Sequence, residues 1–204
     1  MTELSRLTGS LVAAGTLVVA AVVTVAGQDV SVQKLLERGA LDEAVQRAEG
    51  ERDNPESTYL AAQALIKKDD NGRANEEYAR LREREDGDWQ AIGESGATLI
   101  AGDNDGAMAA AERAAAANGE NPYAHYQIGT VALRQENWER AASAFSRSVE
   151  LKPDLAYGHY YAGIAYQRLR QIPKMSEHLQ TFQRLAPDAP ERAAVAAILR
   201  TIRG

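Results

Sequence analysis

Three histidines, a few helical serines and one acid-rich turn are the side chains in this 204-residue chain whose chemistry could go beyond structure. His125 and His159 stand 34 residues apart, and imidazoles are both frequent metal ligands and bases near neutral pH. At equivalent places on neighbouring helix pairs they would lie about 10 Å apart. That is too far to share one ion, so both are expected to be partly buried packing residues. His178 stands on a separate helix and is expected at the surface. Asp103-Asn104-Asp105-Gly106, with Glu112 beyond it, holds several oxygens of a calcium loop, but Ala101 stands where the first carboxylate would be needed. Asp69-Asp70-Asn71-Gly72 sits at the matching place one unit earlier, and such residues suit left-handed turns and helix caps. Ser143, Ser146 and Ser148 fall inside one helix with no partner base. No glycine-rich phosphate loop, H-E-x-x-H or G-x-S-x-G motif is present. The expectation is therefore no catalytic residue, no metal ligand and no cofactor, with function carried by a surface.

Composition narrows what that surface can meet. Residues 1–121 hold 12 of the 23 Lys/Arg and 22 of the 29 Asp/Glu, so the amino-terminal part is acidic and the remainder mildly basic. No basic block tracks a phosphate backbone, which disfavours nucleic acid. The absence of Cys excludes disulfides, thiolate sites and a lipidated amino-terminal Cys. Frequent Ala and only 6% aromatic residues point to closely packed helices rather than sheets.

Residues 9–27, GSLVAAGTLVVAAVVTVAG, carry no charge. As a helix they would span roughly 28 Å, close to a bilayer's hydrocarbon thickness. Two expectations stay open: a single-pass transmembrane anchor following the tail at 1–8, or a signal peptide cut near Ala26 or Gly27. Arg6 precedes the stretch and Asp29 follows it, which leans residues 28–204 towards the non-cytoplasmic side. The alternative is an exported soluble chain.

The elements that would position any surface show themselves as a period. Residues 122–155 and 156–189 align row on row: His125 over His159, Gly129 over Gly163, Phe145 over Leu179, Pro153 over Pro187. In the first row Tyr126, Gly129 and Leu133 recur at helical spacing, Gln135-Glu136-Asn137 interrupts, and Ala141, Phe145, Ser148 and Val149 form a second stripe ended by Pro153. Gly129 and Ala141 let two backbones approach. Upstream, residues 88–121 and 55–87 keep the plan. Residues 28–54 read as a degenerate first hairpin whose first helix is expected to run on from the apolar segment. Residues 190–204 hold a capping helix.

These rows resemble the tetratricopeptide repeat (TPR) family, with its W-x2-L-G-x2-Y, A-x3-F and P signature. Here it reads His125-x2-Ile128-Gly129-x2-Ala132, Ala141-x3-Phe145, Pro153. The second row gives His159-x2-Ala162-Gly163-x2-Tyr166, Met175-x3-Leu179, Pro187. The resemblance implies an all-α, right-handed solenoid of helical hairpins with a concave groove lined by the first helix of each pair.

By that register the groove positions are Trp89, Ile92 and Ile100, then Tyr123, Tyr126, Thr130 and Arg134, then Tyr157, Tyr160, Ile164 and Arg168. Aromatic residues and Arg are frequent interface anchors. The positions of the carboxylate clamp found in some relatives hold Ile92, Tyr126 and Tyr160 instead. The resulting expectation is a non-catalytic, membrane-tethered adaptor for an extended or helical segment of a protein partner, or an accessory subunit of a membrane complex, with no small-molecule substrate. The alternative is a cleaved, soluble chain acting in envelope assembly or as a chaperone-like factor.

Overall fold

The computed structural model describes residues 30–202. The tail at 1–8 and the apolar segment at 9–27 lie outside them. Among the described residues there are eleven helices and no strand: α1 Val32–Glu37, α2 Leu41–Glu49, α3 Pro55–Lys67, α4 Asn71–Arg82, α5 Gly87–Ile100, α6 Asn104–Ala117, α7 Pro122–Arg134, α8 Trp138–Leu151, α9 Ala156–Arg168, α10 Ile172–Leu185 and α11 Arg192–Thr201. None of these is long and apolar enough to cross a membrane.

The hairpins are written into five turns that share one chemistry. Gly39, Asp69, Gly102, Glu136 and Arg170 all have positive φ, and the last four recur at steps of 33 or 34 residues. Each follows the first helix of a pair. The next residue's N–H returns to a carbonyl five residues back: Asp70 to Leu65, Asp103 to Thr98, Asn137 to Ala132 and Gln171 to Tyr166. This is the left-handed helix stop that satisfies otherwise orphaned carbonyls. Asp70, Asp103 and Asn137 then cap the second helix, their side chains accepting from the N–H groups of Arg73, Gly106 and Arg140. The acid-rich turn that carries calcium-loop oxygens is thus a helix stop followed by a helix start.

Within each pair, small residues set the spacing. A Cβ on Gly129 would stand 2.8 Å from three ring atoms of Phe145, and one on Gly163 would stand 2.5 Å from Leu179. Each helix packs on its neighbours in the chain, and the first helices also meet one another, α1 with α3 and α5 with α7. One continuous apolar core runs from Val32 to Leu199.

One expectation is corrected here. Helix α1 does not run on from the apolar segment, because Ser31 has extended geometry and its side chain accepts from the N–H of Lys34, starting the helix afresh. The two ends of the array also meet. Gln33 donates to the carbonyl of Asp154 (2.8 Å), Ala156 N–H donates to the carboxylate of Glu37 (3.3 Å), and Lys67 pairs with Glu191 (2.7 Å). A Cβ on Gly39 would run into Pro190. The first hairpin therefore sits against the start of α9 and the approach to α11, covering one side of the inner face.

Candidate binding groove

The first helices α3, α5, α7 and α9 bring the expected groove residues together, four of them as core. Ile92, Tyr123, Tyr126 and Tyr157 are only 0%, 2%, 6% and 4% exposed. The cause is α3, which lies across α7. Its Tyr59 ring stands 5.3 Å from that of Tyr123, 6.2 Å from Tyr126 and 6.3 Å from Trp89. The Tyr59 hydroxyl donates to Gln127 (3.0 Å), Gln127 donates to Ser95 (3.1 Å), and Ser95 donates to the carbonyl of Ala107 (2.7 Å). This buried chain of donors and acceptors, fully paired, locks three first helices in one register. Tyr123 donates to Glu56 (2.7 Å) and Tyr157 to Glu191 (2.9 Å). Burial raises the phenol pKa of Tyr59, Tyr123, Tyr126 and Tyr157 well above its usual range, and the neighbouring carboxylates add to this at Tyr123 and Tyr157. All four act as neutral donors or packing rings.

The other expected residues divide. Trp89 is half-buried against Tyr59 and Tyr123. Tyr160 is half-buried against Phe182 and Tyr161, with ring centres 5.1 and 5.0 Å away. Ile164 is half-buried, and exposed Arg168 lies 5.1 Å over the ring of Trp138 at the start of α8.

What stays open is a recess of about 400 Å³ at the carboxyl ends of α3, α5 and α7. Ile100, Thr130, Arg134 and one edge of Tyr126 line it, so this part of the expected face does converge. Ile66 and Gln63 of α3, Tyr78 of α4 and Tyr161 of α9 complete the walls. Ile66 is 38% exposed, unusual for a large apolar side chain among the described residues. Gln63 is steered by its bond to the Tyr78 hydroxyl (2.8 Å). Arg134 is exposed and has no ion pair among the described residues. Gln63 and Ile66 were legible in principle: the register that selects Thr130 and Arg134, carried back two rows, lands on or beside them. Tyr161 gave no such signal, since it adjoins a groove position in sequence.

His125 and His159 are half-buried and share one bond, Nε2 to the carbonyl six residues earlier, Gly119 (2.8 Å) or Pro153 (3.2 Å). Each pins the start of a first helix to the linker before it. His178 is not alone as expected: its Nδ1 meets that of His159. Asp88 is likewise consumed by structure, accepting from Asn118 and Asn121 at 3.0 and 2.9 Å. No cluster of three or more His, Asp or Glu side chains suited to a metal occurs among the described residues.

The paired helices, their repeated stops and caps, and their stacking define a tetratricopeptide-repeat fold. A solved TPR protein described as having an unusual peptide-binding site, YrrB, matches with a TM-score of 0.50 at 21% identity, over 82% of this chain and 89% of that one. A crystal structure of MamA matches at 0.48 and 16%, covering 76% and 93%, and MamA 41-end from Desulfovibrio magneticus RS-1 at 0.47 and 23%, covering 76% and 90%. No family model and no curated protein sequence matches the chain.

Proposed function

We propose that this chain is a non-catalytic adaptor that holds a short segment of a protein partner in the recess between α3, α5 and α7. The observation that carries this is the pairing, across one open cavity, of exposed Ile66 with an Arg134 that has no internal acid. Every other charged or aromatic group on the inner face that has been named already has a partner within the protein. The occupant such a site fits is a segment presenting an apolar side chain next to a carboxylate. YrrB, a fold neighbour, is described as binding peptide, in keeping with this use of the architecture. The test is selection of binders from a displayed peptide library on the full chain in detergent, followed by titration against variants. Ile66→Asp and Arg134→Glu should each weaken the selected peptides at least about tenfold, the cost of losing one interface anchor. Helix content should not change, since both side chains are exposed. Selected peptides that bind wild type and both variants alike would place the site elsewhere.

The proposal includes tethering through residues 9–27, supported by their uncharged length. A tether would raise the partner's local concentration. Intact mass of the mature chain, with alkaline extraction of membranes, decides between anchor and cleaved signal. A mass lacking about the first 26 or 27 residues would remove the tether and leave an exported soluble adaptor.

A further inference from the structure

His159 on α9 faces His178 on α10, the second helix of the same hairpin. Their Nδ1 atoms are 3.1 Å apart and their ring centres 5.2 Å apart. Nε2 of His159 lies 3.2 Å from the carbonyl oxygen of Pro153. A carbonyl can only accept, so His159 carries its proton on Nε2 and presents a bare Nδ1. His178 then donates through its own Nδ1–H. The Tyr166 ring stacks on His178 with centres 5.5 Å apart and planes 20° from parallel, and the Tyr166 hydroxyl lies 3.1 Å from that of Ser146. Both imidazoles are half-buried and therefore open to solvent on one side.

We propose that His159 and His178 form a two-imidazole site for a divalent transition ion, Cu²⁺, Ni²⁺ or Zn²⁺, that staples α9 to α10. Two nitrogens each about 2.0–2.1 Å from one ion, at an angle of about 90–109°, stand about 2.9–3.4 Å apart. The observed separation falls inside that range. To share one ion the two rings must turn their lone pairs to a common point, about a torsion that is soft in His. The bond to Pro153 is the outer contact that usually fixes a ligating His in the correct tautomer. When an ion binds, His178 carries its proton on Nε2 rather than Nδ1, so no net proton is released near neutral pH.

The surroundings favour the neutral form of both imidazoles. Burial and the facing His178 hold His159 down to about 4, against the carbonyl of Pro153, with Arg184 lowering and Glu177 raising it. Burial also holds His178 below its usual value, opposed by Glu177 and assisted by Lys174. No third protein ligand completes the set among the described residues, so water fills the remaining positions. The preceding repeat is an internal control. His125 makes the same carbonyl bond, but Ala144 stands where His178 stands one period later, so it has no second imidazole.

The experiment uses the full chain, stripped with a chelator and titrated with Cu²⁺, Zn²⁺ and Mg²⁺ by calorimetry, with electron paramagnetic resonance of the Cu²⁺ form. One equivalent of Cu²⁺ should bind, more tightly than Zn²⁺, while Mg²⁺, which prefers oxygen ligands, gives no heat. His159→Gln and His178→Gln should each weaken Cu²⁺ more than about tenfold, since even outer-shell losses cost 10–100-fold. His125→Gln should change nothing. Zn²⁺ added to wild type should shift the ring signals of His159 and His178 in nuclear magnetic resonance and leave those of His125, a readout that needs no variant to fold. Binding that survives His178→Gln, or ring shifts confined to other groups, overturns the site.

Discussion

Replacing Glu37 by Ala should unlatch the two ends of the array. The Glu37 side chain is 3% exposed. One carboxylate oxygen accepts from Gln33 (2.8 Å) and from the backbone N–H of Ala156 (3.3 Å), and the other from Lys34 (2.6 Å). Ala156 opens α9, whose cap residue, Leu155, has no side chain able to accept. A glutamate from the far end of the chain thus supplies the acceptor that a local Ser or Asp would normally provide. A hydrogen bond to a charged group contributes about 1.5–3 kcal/mol, and a carboxylate at a helix amino end about 0.3–1 kcal/mol. Glu37→Ala should therefore cost about 2–4 kcal/mol, while Glu37→Gln, which keeps an oxygen acceptor, should cost about 1 kcal/mol. The assay is urea unfolding combined with native-state amide exchange. If the ends open as a unit, protection at Ala156 and along α1 falls about 30- to 700-fold, at one decade per 1.4 kcal/mol, and α5 and α6 lose less. A Glu37→Ala protein within about 0.5 kcal/mol of wild type, with Ala156 protection unchanged, would refute the latch.

Two further outcomes follow from the same contacts. Gly129→Ala should cost about 1–3 kcal/mol in denaturant midpoint, because its Cβ collides with the Phe145 ring. Adding Phe145→Leu, the residue type that already faces Gly163 in the next repeat, should recover part of that loss, and strict additivity of the two changes would contradict the close approach. Burial tends to raise the Glu191 carboxyl, but the bonds from Lys67 and Tyr157 outweigh it and hold the group below its usual value. A carboxyl lowered in the fold stabilises above its unfolded pKa and loses that contribution as pH falls through the folded one. The stability gap between wild type and Glu191→Gln should thus be widest above about pH 4.5 and shrink on acidification. A gap that does not change with pH would show that the charge of Glu191 contributes nothing to the latch.

The hairpin plan was legible because it is local. Left-handed stops at Asp69, Gly102, Glu136 and Arg170, caps at Asp70, Asp103 and Asn137, and the small residues opposite Phe145 and Leu179 all act within one repeat, so their spacing survives in the sequence. The resemblance to TPR proteins implies which face of a first helix lines the groove, and that register places Tyr126, Thr130 and Arg134 on it. It could not say what that face meets. The tyrosines of α7 and α9 carry the same composition whether they await a partner or pack on Tyr59, because an interface core and a protein core use the same side chains.

The amino-acid sequence by itself determined that this chain folds as helical pairs in a period of about 34 residues, since each turn closes through bonds among near neighbours. Only the tertiary structure decided that the array winds until Gln33 and Glu37 reach Asp154 and Ala156, that Ile92, Tyr123, Tyr126 and Tyr157 become core, and that His159 and His178 meet. These outcomes depend on small rotations between successive pairs, added over the whole stack, and no single repeat encodes that sum.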